Sequence, residues 1–223
     1  QELTPDGQRL TLQVFGKQLE VELGLVGVFQ ASNLLAAMGL TLADDLALDA
    51  LVRALPGLKG VPGRAEFVAK SAKGGSVFVD YAHTPDALGT ILQAIRPHTR
   101  DKLWVVFGCG GDRDKGKRPE MGALAARYAD RAIVTDDNPR SEDPAVIRAE
   151  ILRAAPDAEE FADRGEAIAY AMAELGPGDV LVIAGKGHES GQIVGEHVLP
   201  FDDRDVARAA AGLPATPRNG ERA

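Results

Sequence analysis

The chain has 223 residues, 45% of them apolar and 26% charged, enough to bury a sizeable core in one or two domains. A formal net charge of −8 without any basic stripe argues against a nucleic-acid-binding protein. No apolar run approaches the ~20 residues of a membrane span, and a single cysteine, Cys109, permits no internal disulfide, so a soluble protein of the cytoplasm is expected.

The chain opens on Gln1 without a charged leader, which reads as a piece of a longer or processed protein. Alternation of Leu10, Leu12 and Val14, then of Leu19, Val21 and Leu23, predicts a hairpin. Helical segments follow around "ASNLLAAMGL" and "ADDLALDALVRAL", with more apolar face than one hairpin covers. Glycine and proline gather in "PGLKGVPGR", Pro56 to Arg64, where a linker and domain boundary are expected. Beyond it, strands are expected at "VFVDY", "LWVVFG", "RAIVTD", "AEEFA" and "DVLVIAG", most of them apolar throughout, as strands covered on both faces are. Between them Leu88, Ile91, Leu92 and Ile95 keep helical spacing, as do Met121, Leu124, Ala125 and Tyr128, and Ile168, Ala171, Met172 and Leu175. Thr84 with Pro85 and Asp143 with Pro144 supply caps and first turns. The alternation predicts an α/β fold with a Rossmann-like, mostly parallel, doubly wound sheet. "HVLPF" reads as an edge strand, because Pro200 has no place in a central one, and from Gly212 onward the tail is expected to fray.

Each strong strand runs into a polar segment: "YAHTPD", "GCGGDRDKGKRPE", "DDNPRSEDP" and "GKGHE". In an open parallel sheet such loops share the carboxyl edge, where ligands bind. "GGDRDKGKRP" mimics a phosphate loop, but Arg118 stands where that loop needs a hydroxyl. Arg113 reads better as a planar fork for a carboxylate, and Arg140, held by Pro139, as a second one. With the amide of Asn138 and the carboxylate of Glu189, they suit a ligand bearing both carboxylate and ammonium groups, which is an amino acid. His83 is placed to touch a phosphoryl oxygen or relay a proton, and His188 is a comparable case. His98 and His197 read as surface residues, Cys109 as packing, and Trp104 as core or helix-facing.

In order and spacing, "DYAHTPD", "GCGGDRDKGKRP", "DDNPRSEDP", "GKGHE" and "FDDR" resemble the carboxy-terminal domain of the Mur ligases, in particular those that add meso-2,6-diaminopimelate to UDP-N-acetylmuramoyl-L-alanyl-D-glutamate. The resemblance implies a remnant of the central ATPase domain over residues 1–62, a carboxy-terminal domain over 63–211 and a disordered tail over 212–223. It implies that "DNPR", Asp137, Asn138, Pro139 and Arg140, is the diaminopimelate signature, and that Arg113, Gly185 and Glu189 complete the binding set. It further implies that Arg64 and Asp80 contact the nucleotide's ribose side, that Asn33 lies near adenine with Gln30 replacing an expected asparagine, and that His83 and Lys115 act near the phosphates and the incoming amine.

The implied reaction is ATP-dependent amide formation in peptidoglycan synthesis. ATP phosphorylates the D-glutamate side chain and the diaminopimelate amine displaces phosphate, with ATP and Mg2+ held mainly upstream. No metal ligand is assigned to this chain, which is expected to be inactive alone and monomeric, with small-molecule partners, no nucleic acid and no membrane. Two rival readings remain: a nucleotide-dependent kinase using Lys117, and a stand-alone amino-acid sensor.

Overall fold

A computed structural model describes residues 1–44 and 47–215. The chain begins with β1 (Glu2–Thr4), β2 (Gly7–Val14) and β3 (Lys17–Leu23), an antiparallel sheet in the order β1-β2-β3. Leu10 pairs with Val21 and Leu12 with Leu19, so the alternating apolar residues share one face. The two-residue turn Phe15–Gly16 has φ of 50° and 77°, the handedness that matches the twist of a hairpin. Helices α1 (Phe29–Ala43) and α2 (Leu48–Ala54) cover that face through Leu34, Met38 and Leu51. Phe29, Leu35 and Leu40 of α1 stay exposed.

After a short turn at Leu55–Gly57 the chain enters a six-stranded sheet. Its elements follow in the order β4 (Glu66–Lys70), β5 (Ser76–Asp80), α3 (Pro85–Ile95), β6 (Leu103–Phe107), α4 (Lys117–Tyr128), β7 (Arg131–Val134), α5 (Pro144–Leu152), β8 (Glu159–Glu160), α6 (Arg164–Glu174) and β9 (Val180–Ala184). The strand order is β4-β5-β9-β6-β7-β8, parallel except for β4, which pairs antiparallel with β5. The expected parallel α/β sheet is thus present, with one antiparallel edge strand, β4, that the sequence reading missed. Strand residues alternate between two cores: Phe78, Val105 and Phe107 face α3, α4 and α5, while Val77, Val106 and Ile183 face α6 and the last helix.

The chain ends with β10 (Gly191–Val194), β11 (His197–Pro200) and α7 (Asp203–Ala210). Thr84 and Asp143 cap α3 and α5 as expected, accepting from Ala87 N and Ala145 N.

Two expectations, for "AEEFA" and for His98, need correction, and two others are made more specific. "AEEFA" contributes only the two residues of β8, because charged Glu159 and Glu160 alternate poorly with a core. "HVLPF" forms β11, an edge strand as expected, paired with β10 in a separate two-stranded sheet. Within the tail expected to fray, the Gly212 and Leu213 amides donate to Ala209 O and Arg208 O, and Arg208 Nε donates to Pro214 O. The expectation for residues 216–223 lies outside the described residues. Finally, His98 is buried, not a surface residue; its Nδ1 meets Thr4 O at 2.7 Å and Gly27 N donates to its Nε2 at 2.8 Å. A carbonyl only accepts, so Nδ1 carries the proton, and the neutral ring bolts the first sheet to the end of α3.

Behind the sheet lies a buried ion pair that no periodicity announces. Arg164 and Asp203 are both fully buried, joined at 2.7 and 2.8 Å, and Arg164 Nη2 also donates to Ala184 O at the end of β9. Truncating one partner of such a pair strands a charge in low dielectric. Asp203→Ala is therefore expected to lower unfolding free energy by about 3–5 kcal/mol in urea titrations; a loss within about 0.5 kcal/mol, the range of an ordinary surface change, would show that the pair does not anchor α7.

Candidate amino-acid site

Strands β5, β9, β6 and β7 are adjacent in the sheet, so the loops that leave their carboxyl ends meet over one stretch of edge. The approach of the β6 and β7 loops is close enough to require glycine. A Cβ at Gly108 would sit 2.2 Å from Thr135 O, and one at Gly111 would sit 2.0 Å from Pro139 O. Gly111 N donates to Asn138 O at 2.9 Å, and Arg140 Nη1 donates to Gly111 O at 2.9 Å. Two loops separated in sequence thereby become one wall.

That wall and its neighbours enclose a cavity of about 360 Å3. Its lining carries both signs of charge, the cations Arg113, Arg140 and Lys117 and the carboxylates Asp137 and Glu189. A Cβ built on Gly110 would lie 2.8 Å from Arg140 Nη1 and 3.9 Å from Arg113 Cγ, so both guanidinium side chains adjoin the same glycine. Among the described residues neither Arg113 nor Arg140 forms a salt bridge; Arg113 Nη1 donates only to Asp112 O, at 3.0 Å. Arg140 sits at φ 51°, a conformation stabilised by strand-like bonds to the β10–β11 hairpin, Arg140 N to Ile193 O and Gly195 N to Arg140 O. Asp137 and Asn138 are buried, and Gly185 at φ 118° passes so near that a Cβ there would meet Asp137 Oδ2 at 2.7 Å.

Beneath the cavity lies Lys186, which the sequence reading passed over. It is fully buried, and its Nζ donates to Asn138 Oδ1 and to Gly191 O, both at 2.8 Å. Asp137 Oδ1 and Glu189 Oε2 lie 4.0 and 3.8 Å away. Burial pushes the Lys186 ammonium below the usual lysine range, while the charge of Asp137 pulls the other way. The flanking Gly185 and Gly187, both buried at positive φ, were the available signal: a lysine between two such glycines sits in a packed turn.

The other expected site residues fall in different places. His83 lines the cavity; its Nδ1 donates to Tyr81 O at 2.8 Å, so in the neutral ring Nε2 keeps its lone pair. Tyr81 stacks edge-on against His83 and lies under the Arg64 guanidinium, 5.1 Å from the ring centre. Pro139 is buried behind the wall. Asp80 does not line the cavity: its oxygens accept from Ala65 N at 2.7 Å and Ala82 N at 2.8 Å, and burial raises its carboxyl above the ordinary value despite those bonds. Asn33 is exposed on α1, bonded to Gln30, also away from the cavity. Lys115 turns to Glu142 at 3.0 Å, and Lys117, donating to His83 O at 2.9 Å, is the lysine that lines the cavity.

Arg118 is fully buried between Glu142 and Glu150, at 2.9 and 2.7 Å, so the position where a phosphate loop carries a hydroxyl serves to brace α4. Cys109 is buried against Met121, and burial pushes its thiol up to about 12, the state of a packing residue. Trp104 lies in the core facing α6. Among the described residues no group of three or more His, Cys, Asp or Glu side chains converges to hold a metal ion, and no helix is long and apolar enough to cross a membrane.

Residues 63–187 match the family model described as Mur ligase, glutamate ligase domain. The chain is 55% identical over 213 residues to the UDP-N-acetylmuramoyl-L-alanyl-D-glutamate–2,6-diaminopimelate ligase of Caulobacter vibrioides, covering 95% of this chain and 44% of that protein. It is 53% identical to the ligase of the same name from Zymomonas mobilis, covering 94% and 44%. A solved structure of a ligase of that name superposes with a TM-score of 0.78 at 39% identity, over 95% of this chain and 44% of its own. The chain thus spans under half the length of these relatives.

The β6–β7 wall makes a pH prediction. Glu142 is held at about 2 by Arg118 first, then by the amide of Asp112 and by Lys115. A depressed carboxyl contributes stability above its unfolded value of 4.5, which is lost as pH falls toward 2. Glu142→Gln should therefore lose less stability than the wild type between pH 4.5 and 2, and parallel pH–stability curves in that window would contradict this role.

Proposed function

The chain belongs to the Mur ligase family, and from that premise we propose that it supplies the amino-acid-binding part of an ATP-dependent ligase that adds meso-diaminopimelate to UDP-N-acetylmuramoyl-L-alanyl-D-glutamate in peptidoglycan synthesis. We take residues 63–211 as that domain and residues 1–62 as the end of the preceding ATPase domain, in a cytoplasmic, monomeric enzyme whose partners are small molecules. The observation that carries the proposal is the pair of guanidinium groups, Arg113 and Arg140, which form no salt bridge among the described residues and share one cavity with the carboxylates of Asp137 and Glu189.

Such a cavity is complementary to a diamino dicarboxylic acid. A carboxylate at the far end of the ligand finds a fork that donates in parallel, and its ammonium finds the carboxylates. Lysine as ligand would leave a guanidinium facing nothing, and a site built for a charge rejects the analogue that lacks it. The amine that reacts must arrive unprotonated, and Nε2 of His83, left with its lone pair by the bond from Nδ1 to Tyr81 O, is an acceptor of the cavity lining that could take the proton. The acyl phosphate formed from ATP makes phosphate the leaving group; this chain's share of the work is to hold the amine in line and to exclude water. Arg64 and Tyr81 offer a cation and a ring face for a nucleotide at the rim, whereas the oxygens of Asp80 are committed to Ala65 N, just past the linker, and to Ala82 N. Mg2+ belongs with the nucleotide, and no step here runs through it.

Calorimetry of the chain should give saturable heat with meso-diaminopimelate and a Kd at least about tenfold weaker with lysine, the scale of one charge-assisted bond. Arg140→Ala should bring the two ligands together. Equal affinity for both in the wild type would overturn the assignment.

A further inference from the structure

Asn138 has a side chain whose two ends look alike in size but not in chemistry, and the ends are told apart here by what surrounds them. Its Oδ1 accepts from Lys186 Nζ at 2.8 Å and from Ile193 N at 2.9 Å. Both lone pairs are filled by donors, so a flipped amide would set its NH2 against an ammonium and a backbone N–H. The Nδ2 end is therefore fixed toward the cavity, where it donates to Glu189 Oε2 at 3.2 Å. Lys186 has three donors: one is on Asn138, one on Gly191 O, and the third faces Asp137 and Glu189. One buried cation thus meets or adjoins three polar residues of the cavity lining, Asp137, Asn138 and Glu189.

Resting on the function proposed above, we propose that Lys186 is a positioning residue for amino-acid recognition: it sets the orientation of the Asn138 amide and through it the carboxylate of Glu189, without itself touching the ligand. Its exposure of 0% keeps it from the ligand, and its contacts reach the groups that line the cavity. The role goes beyond general support of the fold: the bond from Nζ to Gly191 O holds the β10–β11 hairpin, whereas the bond to Asn138 Oδ1 sets which end of that amide faces the cavity. A methylene chain of similar length would fill the same space.

The test combines a double-mutant cycle with a measurement that needs no ligand. Lys186→Met, Asn138→Ala and the double variant are compared by calorimetry with meso-diaminopimelate. Each single change should weaken binding at least about tenfold, the worth of one charge-assisted bond, and the double variant should bind no more weakly than the worse single one. Additive losses, or wild-type affinity in Lys186→Met, would overturn the role. In parallel, NMR of the wild type should show contacts between the Asn138 Nδ2 protons and the Glu189 side chain, which Lys186→Met loses while core resonances stay in place. If that variant fails to fold, the wild-type spectrum decides alone: contacts from Asn138 Nδ2 to Glu189 support the proposal, and their absence overturns it. A wild-type chain that shows these contacts but gives no heat with meso-diaminopimelate would contradict the proposed function and leave the positioning of Asn138 standing.

Discussion

An ammonium group taken out of water has to be surrounded by acceptors, and at Lys186 that requirement organises everything above it. The acceptors within reach are Asn138 Oδ1 and Gly191 O, with the carboxylates of Asp137 and Glu189 just beyond. They come from the loop after β7, the loop after β9 and the β10–β11 hairpin. Satisfying one cation therefore draws three segments together and brings carboxylates to the cavity. The hairpin is bound further by one backbone and one side-chain donor: Ile193 N donates to Asn138 Oδ1, and Gln192 Nε2 donates to Asp137 O.

The arginines of the cavity lining follow the opposite principle. Where Lys186 is enclosed, Arg113 and Arg140 line the cavity and, among the described residues, neither forms a salt bridge. Glycines make this possible. Gly108, Gly110 and Gly111 let the β6 loop lie against the β7 loop at distances no side chain allows, so that two arginines far apart in sequence flank one space. Arg118, by contrast, is spent on Glu142 and Glu150 beneath that loop and keeps it in place. The cations of "GGDRDKGKRPE" thus divide between two places, with Arg113 and Lys117 reaching the cavity while Lys115 and Arg118 brace the wall.

Much of the fold was legible because its signals are local. Apolar runs such as "LWVVF" can only be strands covered on both faces, and Thr84–Pro85 and Asp143–Pro144 mark helix starts by their own hydrogen bonds. The convergence of the loops followed from topology, and so did the meeting of Arg113, Asn138, Arg140 and Glu189 in one cavity. What stayed hidden were charges and polar groups whose partners come from distant segments. Lys186, the Arg164–Asp203 pair and His98 are hydrophilic letters that read as surface until their burial is seen. The strand β4 was missed because "EFVAK" is short, carries a bulge and follows a glycine-rich stretch. The exchange of Lys115 for Lys117 at the cavity turns on which side of the loop faces inward, a property of the turn rather than of the spacing.

The central claim is the proposal that the guanidinium groups and carboxylates sharing this cavity hold the two kinds of charge of one diamino dicarboxylic acid. A crystal structure of the chain with meso-diaminopimelate bound tests it most directly. The account predicts one ligand carboxylate on the guanidinium groups of Arg113 and Arg140, and an ammonium group between Asp137 and Glu189. A ligand bound elsewhere, or lying in the cavity with its carboxylates turned away from both arginines, would contradict it.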